Sequence, residues 1–315
     1  MKRSLINILK VIMLPVIVYM VFLVICFERF SNWNCIYTIF LQTIIPTITA
    51  YAIAYGNICG IFDFTVGSRL IISGVVGGLL ASRFGFWGMI LGAIFSAILV
   101  GAITGLLNWL LKIPSLVLTM GLTMIFEIAG SKLAGHYGFV QIDNKYAVLG
   151  SSPNIVIIFA LSVVLFYFIL NRTVFSFHMR AVGSNEGVAR NSGIKADLVK
   201  CKSIVYGSIF IGIAAILTLS AQTNLGSVTI MFKPLISILL ALVLQRFCNL
   251  AIGIFIAQFT INIIFIGLIA AGLPDTFQNV VLGVFLLIVM ILFRNSEKIA
   301  EFRAKKEIQR KAMSA

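Results

Sequence analysis

The chain alternates between long apolar runs and short polar or glycine-containing breaks. Ile8–Phe27, Val156–Leu170 and Thr276–Phe293 contain almost no charge. Each run is about long enough to cross a hydrocarbon core of ~30 Å as a helix. The pattern predicts an all-α, polytopic transmembrane helix bundle of about ten spans. Their approximate positions are 8–27, 36–55, 65–82, 86–111, 114–134, 154–171, 203–221, 231–248, 250–272 and 276–293.

Composition excludes a soluble domain. Hydrophobic residues make up 60% of the 315 residues, charged residues only 11%, and the mean hydropathy is +1.09, whereas soluble domains carry roughly 25% charge. The five cysteines have no CxxC spacing, and His136 and His178 stand alone, so neither a metal site nor acid–base catalysis is indicated. No G-x-x-x-x-G-K-[ST] phosphate loop is present. We therefore expect a protein that is not an enzyme and carries no cofactor.

The basic residues predict an orientation. With the N-terminus inside, nineteen of the 24 Lys and Arg residues fall on the cytoplasmic side and five outside. The five are Arg29, Arg83, Lys132, Lys145 and Lys233. This asymmetry follows the positive-inside rule, so the net charge of +14 indicates membrane topology rather than nucleic-acid binding. We expect both termini to be cytoplasmic, with the basic tail 294–315 near anionic membrane lipid.

The longest polar stretch between spans is 171–202. Ser184 or Asn185 can cap a helix there, Glu186 would lie in its first turn, and Gly193 can end it in a left-handed conformation. These signals predict a short cytoplasmic helix of about seven or eight residues. It is either an amphipathic connector on the membrane surface or a rigid lever that docks on another protein.

Three motifs resemble the permease subunits of bacterial ABC importers for ribose and other simple sugars. Residues 181–194, AVGSNEGVARNSGI, are similar to the family's cytoplasmic pattern A-[IV]-G-x-N-x-x-A-A-x-x-[SA]-G-I, with Val188 at one alanine position. Residues 60–68, GIFDFTVGS, are similar to G-G-I-D-L-S-V-G-S, and residues 107–121, LNWLLKIPSLVLTMG, are similar to L-N-G-x-L-[IV]…[IL]-P-[SA]-[FL]-[IV]-x-T-L-G. The resemblance covers about residues 36–293 and implies a single permease domain, 1–315, of the type II-like fold.

The chain also departs from the family. A glycine-rich stretch usual before the last spans is replaced by LQRFCNLAIG at 244–253, Ile61 replaces a glycine, and Glu127 stands about where relatives often have Arg. Close backbone packing at 244–253 must therefore differ, and the substrate is not inherited from the ribose members.

The resemblance implies that the predicted helix at about 185–192 is the coupling helix, which docks on a separate ATPase. The coupling residues implied are Gly183, Ser184, Asn185, Glu186, Ala189, Arg190, Ser192 and Gly193. The implied partners are an ATP-binding cassette ATPase that holds ATP and magnesium, an extracytoplasmic solute-binding protein, and a second permease subunit. That second subunit is either an identical chain or a related one. The implied location is the bacterial cytoplasmic membrane, whose lipid is a further partner.

Polar residues in or beside the spans are candidates for a translocation pathway. They are Asp63, Thr65, Ser68, Asn108, Thr119 and Glu127. Asp63 or Thr65 can cap a half-helix that lines a cavity, or Asp63 simply caps the third span, and the two roles are compatible. Asn108 and Thr119, like Gln258 and Asn262, can line a pathway or join helices through hydrogen bonds.

Glu127 lies well inside the fifth predicted span, where an ionised carboxylate is costly unless it faces water or a partner. It belongs to the pathway, pairs with Lys132, or is protonated and hydrogen-bonded. Our leading hypothesis is an importer permease for a small polar solute, with a sugar expected. The alternatives are an ion-coupled secondary transporter or channel that uses Glu127, and a scaffold or sensor that lost transport.

Overall fold

The computed structural model describes residues 2–135, 142–221, 228–245 and 247–273, and isolated positions between 277 and 291. The α-helices are α1 Lys2–Ile25, α2 Phe27–Phe30, α3 Trp33–Ile58, α4 Val66–Leu111, α5 Ser115–Ala134, α6 Asn154–Arg172, α7 Val174–Ser184, α8 Glu186–Asn191, α9 Ala196–Ser220, α10 Phe232–Leu244 and α11 Leu250–Ala270. Two 3-10 helices cover Asn144–Gly150 and Val228–Met231. The chain divides into two compact units, residues 1–39 with 235–315, and residues 40–234.

The 46 residues of α4 form a helical hairpin rather than one rod. Gly85 breaks the helix with φ 67° and ψ −151°, a conformation that residues with a side chain rarely adopt. The halves then run back along each other, since a Cβ added to Gly77 would lie 3.0 Å from the Cβ of Ala93. One added to Gly92 would lie 3.3 Å from the Cβ of Leu80. α4 therefore supplies two predicted spans, 65–82 and 86–111.

Two apolar clusters organise the unit formed by residues 40–234. Both halves of α4 pack on α5 through a cluster of Ile72, Val100, Leu118, Leu122 and Phe126. Tyr51 of α3 stacks on Phe166 of α6 with ring centroids 4.2 Å apart, and meets Phe210 of α9 edge-on at 6.0 Å. Aromatic pairs of this kind add to the stabilisation from buried area. One cluster thus joins α4 to α5, and the other joins α3, α6 and α9.

In the other unit, α1 packs against α11, with Phe30, Ile39 and Ile263 in a buried cluster. α10 and α11 are separate helices, because Asn249 accepts a hydrogen bond from the Ala251 amide at 3.0 Å and so begins α11. Gly253 lies close to Ala241, its added Cβ being 3.8 Å from the Ala241 Cβ. This confirms the predicted division between the eighth and ninth spans.

Six described helices are long and apolar enough to cross a membrane, namely α3, α4, α5, α6, α9 and α11. Together with the hairpin in α4, they confirm the all-α polytopic bundle. α10 is shorter than the predicted span 231–248, with 13 residues and a length of about 20 Å. Pro234 lies in its first turn, where a missing N–H is tolerated, and so marks its start. The predicted span 276–293 and the tail 294–315 lie outside the continuously described residues.

Candidate functional site

The polar segment after α6 folds into two short helices, α7 and α8, where the sequence predicted one. Thr173 caps α7 by accepting a hydrogen bond from the Ser176 amide at 3.3 Å. α7 ends at Ser184, whose hydroxyl donates to the Ala181 carbonyl at 3.0 Å. Of the two predicted caps for the next helix, Ser184 therefore belongs to the end of α7. An additional helix, α7, thus lies between α6 and the predicted one.

Asn185 is the cap of α8. Its backbone is extended, and its side-chain oxygen accepts a hydrogen bond from the Val188 amide at 3.1 Å. At the other end Gly193 has φ 82°, and the Ile194 amide donates to the Ala189 carbonyl at 3.0 Å. These contacts form the glycine-terminated end expected of a Schellman motif. The predicted start and end of this helix agree with the structure to within a residue.

Most of the surface of α8 is exposed. Ala189 is the buried residue of this helix, whereas Gly187, Val188 and Asn191 are exposed. Ser192 is also exposed and donates to the Val188 carbonyl at 3.0 Å. An exposed helix held at both ends by caps can serve as a docking surface.

Gly183 brings the end of α7 against the end of α3. A Cβ added to Gly183 would lie 2.9 Å from the carbonyl carbon of Ile58 and closer still to its oxygen. Only glycine permits this approach of two backbones. The position of the polar segment 171–202, which we call the coupling segment after its predicted role, therefore depends on Gly183 where it meets α3.

Four charged residues connect α8 to the start of α9. Lys200 donates to Glu186 at 2.7 Å, and Arg190 contacts Glu186 at 2.8 Å and Asp197 at 2.7 Å. We call Glu186, Arg190, Asp197 and Lys200 the ionic network. Hydrogen bonds from Lys200 and Arg190 hold the pKa of the Glu186 carboxyl below its ordinary value. Glu186 and Asp197 raise the pKa of Arg190.

Sequence reasoning named Glu186 and Arg190 but missed Asp197 and Lys200. The reason is that α9 begins at Ala196, seven residues before the predicted span 203–221, so these two residues were assigned to a loop. The spacing of Glu186 and Arg190, and that of Asp197 and Lys200, would have signalled charged helix faces.

A cavity of about 480 Å³ lies beside the ionic network. It is lined by all four residues of the network and by Ile61, Asn108, Trp109, Lys112, Ile113, Pro114 and Ser115. The turn between α4 and α5 thus faces the coupling segment. Asn108, predicted for the translocation pathway, lies in this cavity with Glu186 and Arg190, which were predicted for coupling.

Asp63, Thr65 and Ser68 lie together at the start of α4 and are buried. Asp63 accepts hydrogen bonds from the amide and the hydroxyl of Thr65, at 3.0 and 2.6 Å. Ser68 donates to the Thr65 carbonyl at 3.0 Å. Asp63 therefore organises the turn that begins α4, and a role in the pathway stays a prediction.

Arg69 is the residue of this cluster that sequence reasoning placed elsewhere. By sequence it counted only as a cytoplasmic charge; in the structure it is 1% exposed and pairs with Asp63. It also donates to the Ser208 hydroxyl of α9 at 2.8 Å. Asp63 precedes α4 and Arg69 lies in its first turn, so the pair forms at the start of this helix.

The other two pathway candidates lie on α5. Thr119 is buried and donates to the carbonyls of Phe62 and Leu116, at 3.1 and 3.3 Å, so it joins α5 to the segment before α4. Glu127 is half-buried in a groove of about 890 Å³ that also contains Ser131 and Lys132. Glu127 forms no ion pair within the described part of the chain, so the expected pairing with Lys132 is not formed there.

Comparisons with known proteins agree with these features. The sequence model of the family described as branched-chain amino acid transport system / permease component matches residues 35–290. The chain is 26% identical over 254 residues to the autoinducer 2 import system permease protein LsrD of Yersinia pseudotuberculosis, covering 71% of this chain and 76% of the relative. It is 26% identical over 250 residues to the galactofuranose transporter permease protein YtfT of Escherichia coli K12, covering 74% and 72%.

No solved structure matches the chain. The family match extends from α3 into the last predicted span and includes all three motifs, the hairpin of α4 and the capped helix α8. The chain therefore belongs to the branched-chain amino acid transport system / permease component family, which confirms the permease that its motifs predicted.

Proposed function

We propose that this permease is the membrane subunit of an ABC importer that moves a small polar solute of the simple-sugar class into the cell. The observation that carries the proposal is α8, an exposed helix capped by Asn185, ended by Gly193 and joined to α9 by the ionic network. Such a helix is suited to docking on a partner and transmitting its movement. The partner is a separate ATPase that binds ATP and magnesium.

The solute class is proposed from two relatives whose names refer to import of autoinducer 2 and transport of galactofuranose. An extracytoplasmic binding protein would deliver the solute, and a second permease subunit, identical or related, would complete the pathway. Asp63, Thr65, Ser68, Asn108, Thr119 and Glu127 remain the pathway candidates. The orientation with both termini in the cytoplasm rests on the distribution of Lys and Arg.

Reconstitution tests the proposal. The permease, its ATPase and its binding protein are placed in liposomes, and uptake of radiolabelled pentoses, hexoses, galactofuranose and autoinducer 2 is measured. We expect uptake of at least one solute to require ATP on the side of α8. Uptake driven equally well by an ion gradient without ATP would overturn the proposal.

A second candidate is an ion-coupled transporter. The half-buried Glu127, which has no ion pair within the described part of the chain, is the observation that favours it. Uptake that follows a proton or sodium gradient, and is lost in Glu127→Gln, would support this candidate against the first.

A further inference from the structure

The attachment of α8 to the rest of the molecule is unusual in its dependence on charge. α8 has six residues, too few to be stable in isolation, and its buried residue is Ala189. Its orientation must therefore come from its caps and from side chains that reach another helix. Those side chains are Glu186 at its first residue and Arg190 in its last turn.

Both side chains bind the same helix, α9. Glu186 reaches Lys200 at 2.7 Å and Arg190 reaches Asp197 at 2.7 Å, while Arg190 and Glu186 also bind each other at 2.8 Å. Asp197 and Lys200 are three residues apart and so share one face of α9. Two contacts at opposite ends of α8 prevent it from turning about a single point. A single exposed ion pair contributes little, but three linked ion pairs that attach both ends of α8 to one helix fix its orientation.

α9 in turn is held tightly inside the membrane bundle, and most of its residues are buried. Ser208 lies eight residues beyond Lys200, or about 12 Å along the helix, and accepts a hydrogen bond from Arg69 at 2.8 Å. Arg69 is paired with Asp63 at the start of α4.

The second half of α4 also packs closely against α9 at two glycines, Gly101 and Gly105. A Cβ added to Gly105 would lie 2.9 Å from the Cys201 sulfur, and one added to Gly101 would lie 2.9 Å from the Ser208 Cβ and the Arg69 guanidinium. Packed helices with such close backbones move as units rather than deforming. A displacement of α9 therefore acts on both halves of α4.

We infer that Lys200 and Asp197 are positioning residues that fasten the docking helix α8 to α9, and that α9 transmits ATPase movement to α4 through Ser208 and Arg69. The inference rests on the proposed function. It assigns the first step of transmission to α9, although α8 is also connected to the bundle through α7. It also gives the buried Arg69 a role in transmission, because its hydrogen bond to Ser208 joins α9 to the start of α4.

The test uses the complete reconstituted transporter and measures ATP hydrolysed per solute imported. Lys200→Ala is compared with Lys202→Ala, which removes an exposed lysine of the same turn that takes part in no ion pair within the described part of the chain. We expect Lys200→Ala to raise the ATP-to-solute ratio by at least about threefold. Lys202→Ala should leave the ratio unchanged, and Lys200→Arg should restore it.

Asp197→Asn removes the network from its other end and keeps the test valid if Lys200→Ala does not fold. An increased ratio in Asp197→Asn supports the inference. If the wild type couples hydrolysis to uptake and both variants behave like Lys202→Ala, the inference is overturned and the proposed function stands. If the wild type itself imports solute without ATP, the proposed function is overturned and the inference with it.

Discussion

Gly183→Ala provides the sharpest test of how the coupling segment is positioned. The added methyl carbon would lie 2.9 Å from the Ile58 carbonyl carbon and closer to its oxygen, whereas ordinary contacts begin near 3.4 Å. The obstacle is backbone at the end of α3, so no side-chain rotation can relieve it. The segment must move by about an ångström or the fold must lose roughly 1–3 kcal/mol, as for other overpacked sites.

We expect Gly183→Ala to lower coupled uptake severalfold and to lower the melting temperature of the solubilised protein. Gly187→Ala is the matched control, because it adds the same methyl four residues later, in the exposed part of α8. There the nearest atom to the new Cβ is the Asn185 side-chain oxygen at 3.4 Å. In a helix, alanine is favoured over glycine by up to about 1 kcal/mol, so the melting temperature of this control should be unchanged or slightly raised.

Uptake, ATP hydrolysis and thermal melting are measured for Gly183→Ala, Gly187→Ala and the wild type. The reasoning is refuted if Gly183→Ala keeps wild-type uptake and melts at the same temperature as Gly187→Ala, because the approach to Ile58 would then not constrain the segment. A Gly183→Ser variant that behaves like the wild type would refute it as well.

Three further predictions concern charged residues. Arg69→Met leaves Asp63 buried without its charged partner and should lower the free energy of unfolding, measured by thermal melting, by about 3–5 kcal/mol. The double variant with Asp63→Asn should lose less than the sum of the two single variants. Simple additivity would show that the two residues do not interact. The pKa of Glu186 is lowered from 4.5, so its ion pairs persist above that pH and are lost only as pH falls below it. The ATP-to-solute ratio should therefore be constant between about pH 8 and 5, and a change near pH 6.5 would contradict this. Glu127→Gln should reduce uptake by roughly tenfold with unchanged melting, measured against Ser131→Ala in the same groove; equal uptake in both variants would exclude a pathway role.

The sequence predicted the spans that α3, α4, α5, α6, α9 and α11 supply, because bilayer thickness fixes their length and leaves little choice of structure. Even the hairpin of α4 was predicted, since Arg83 and the aromatic and glycine residues after it interrupt the apolar run. The start of α9 was missed for the opposite reason. Asp197 and Lys200 are polar, so hydropathy assigned them to a loop. In the structure they lie in the first turns of α9, before the start of the predicted span 203–221.

In the candidate site, local signals succeeded and long-range ones failed. The cap at Asn185 and the terminator at Gly193 depend on a few neighbouring residues, which the sequence shows directly. The pairing of Arg69 with Ser208 joins residues 139 positions apart and depends on how α4 and α9 pack. A single sequence contains no signal for such a contact, which is why Arg69 was counted only as a cytoplasmic charge.

The position of Arg69 also shows that Asp63 has two structural contacts at once, one that organises the start of α4 and one that pairs with Arg69. One carboxylate oxygen accepts from Thr65 and begins α4, where the helix dipole favours a negative charge, and the other accepts from Arg69. The pair is neutral as a whole, so it can be buried at a lower cost than either charge alone. Once buried, Arg69 still has a donor for Ser208, and that bond can form only when α9 is packed on α4. Asp63 therefore stabilises the start of α4 and, through Arg69, makes the contact between α4 and α9 part of the same hydrogen-bonded group.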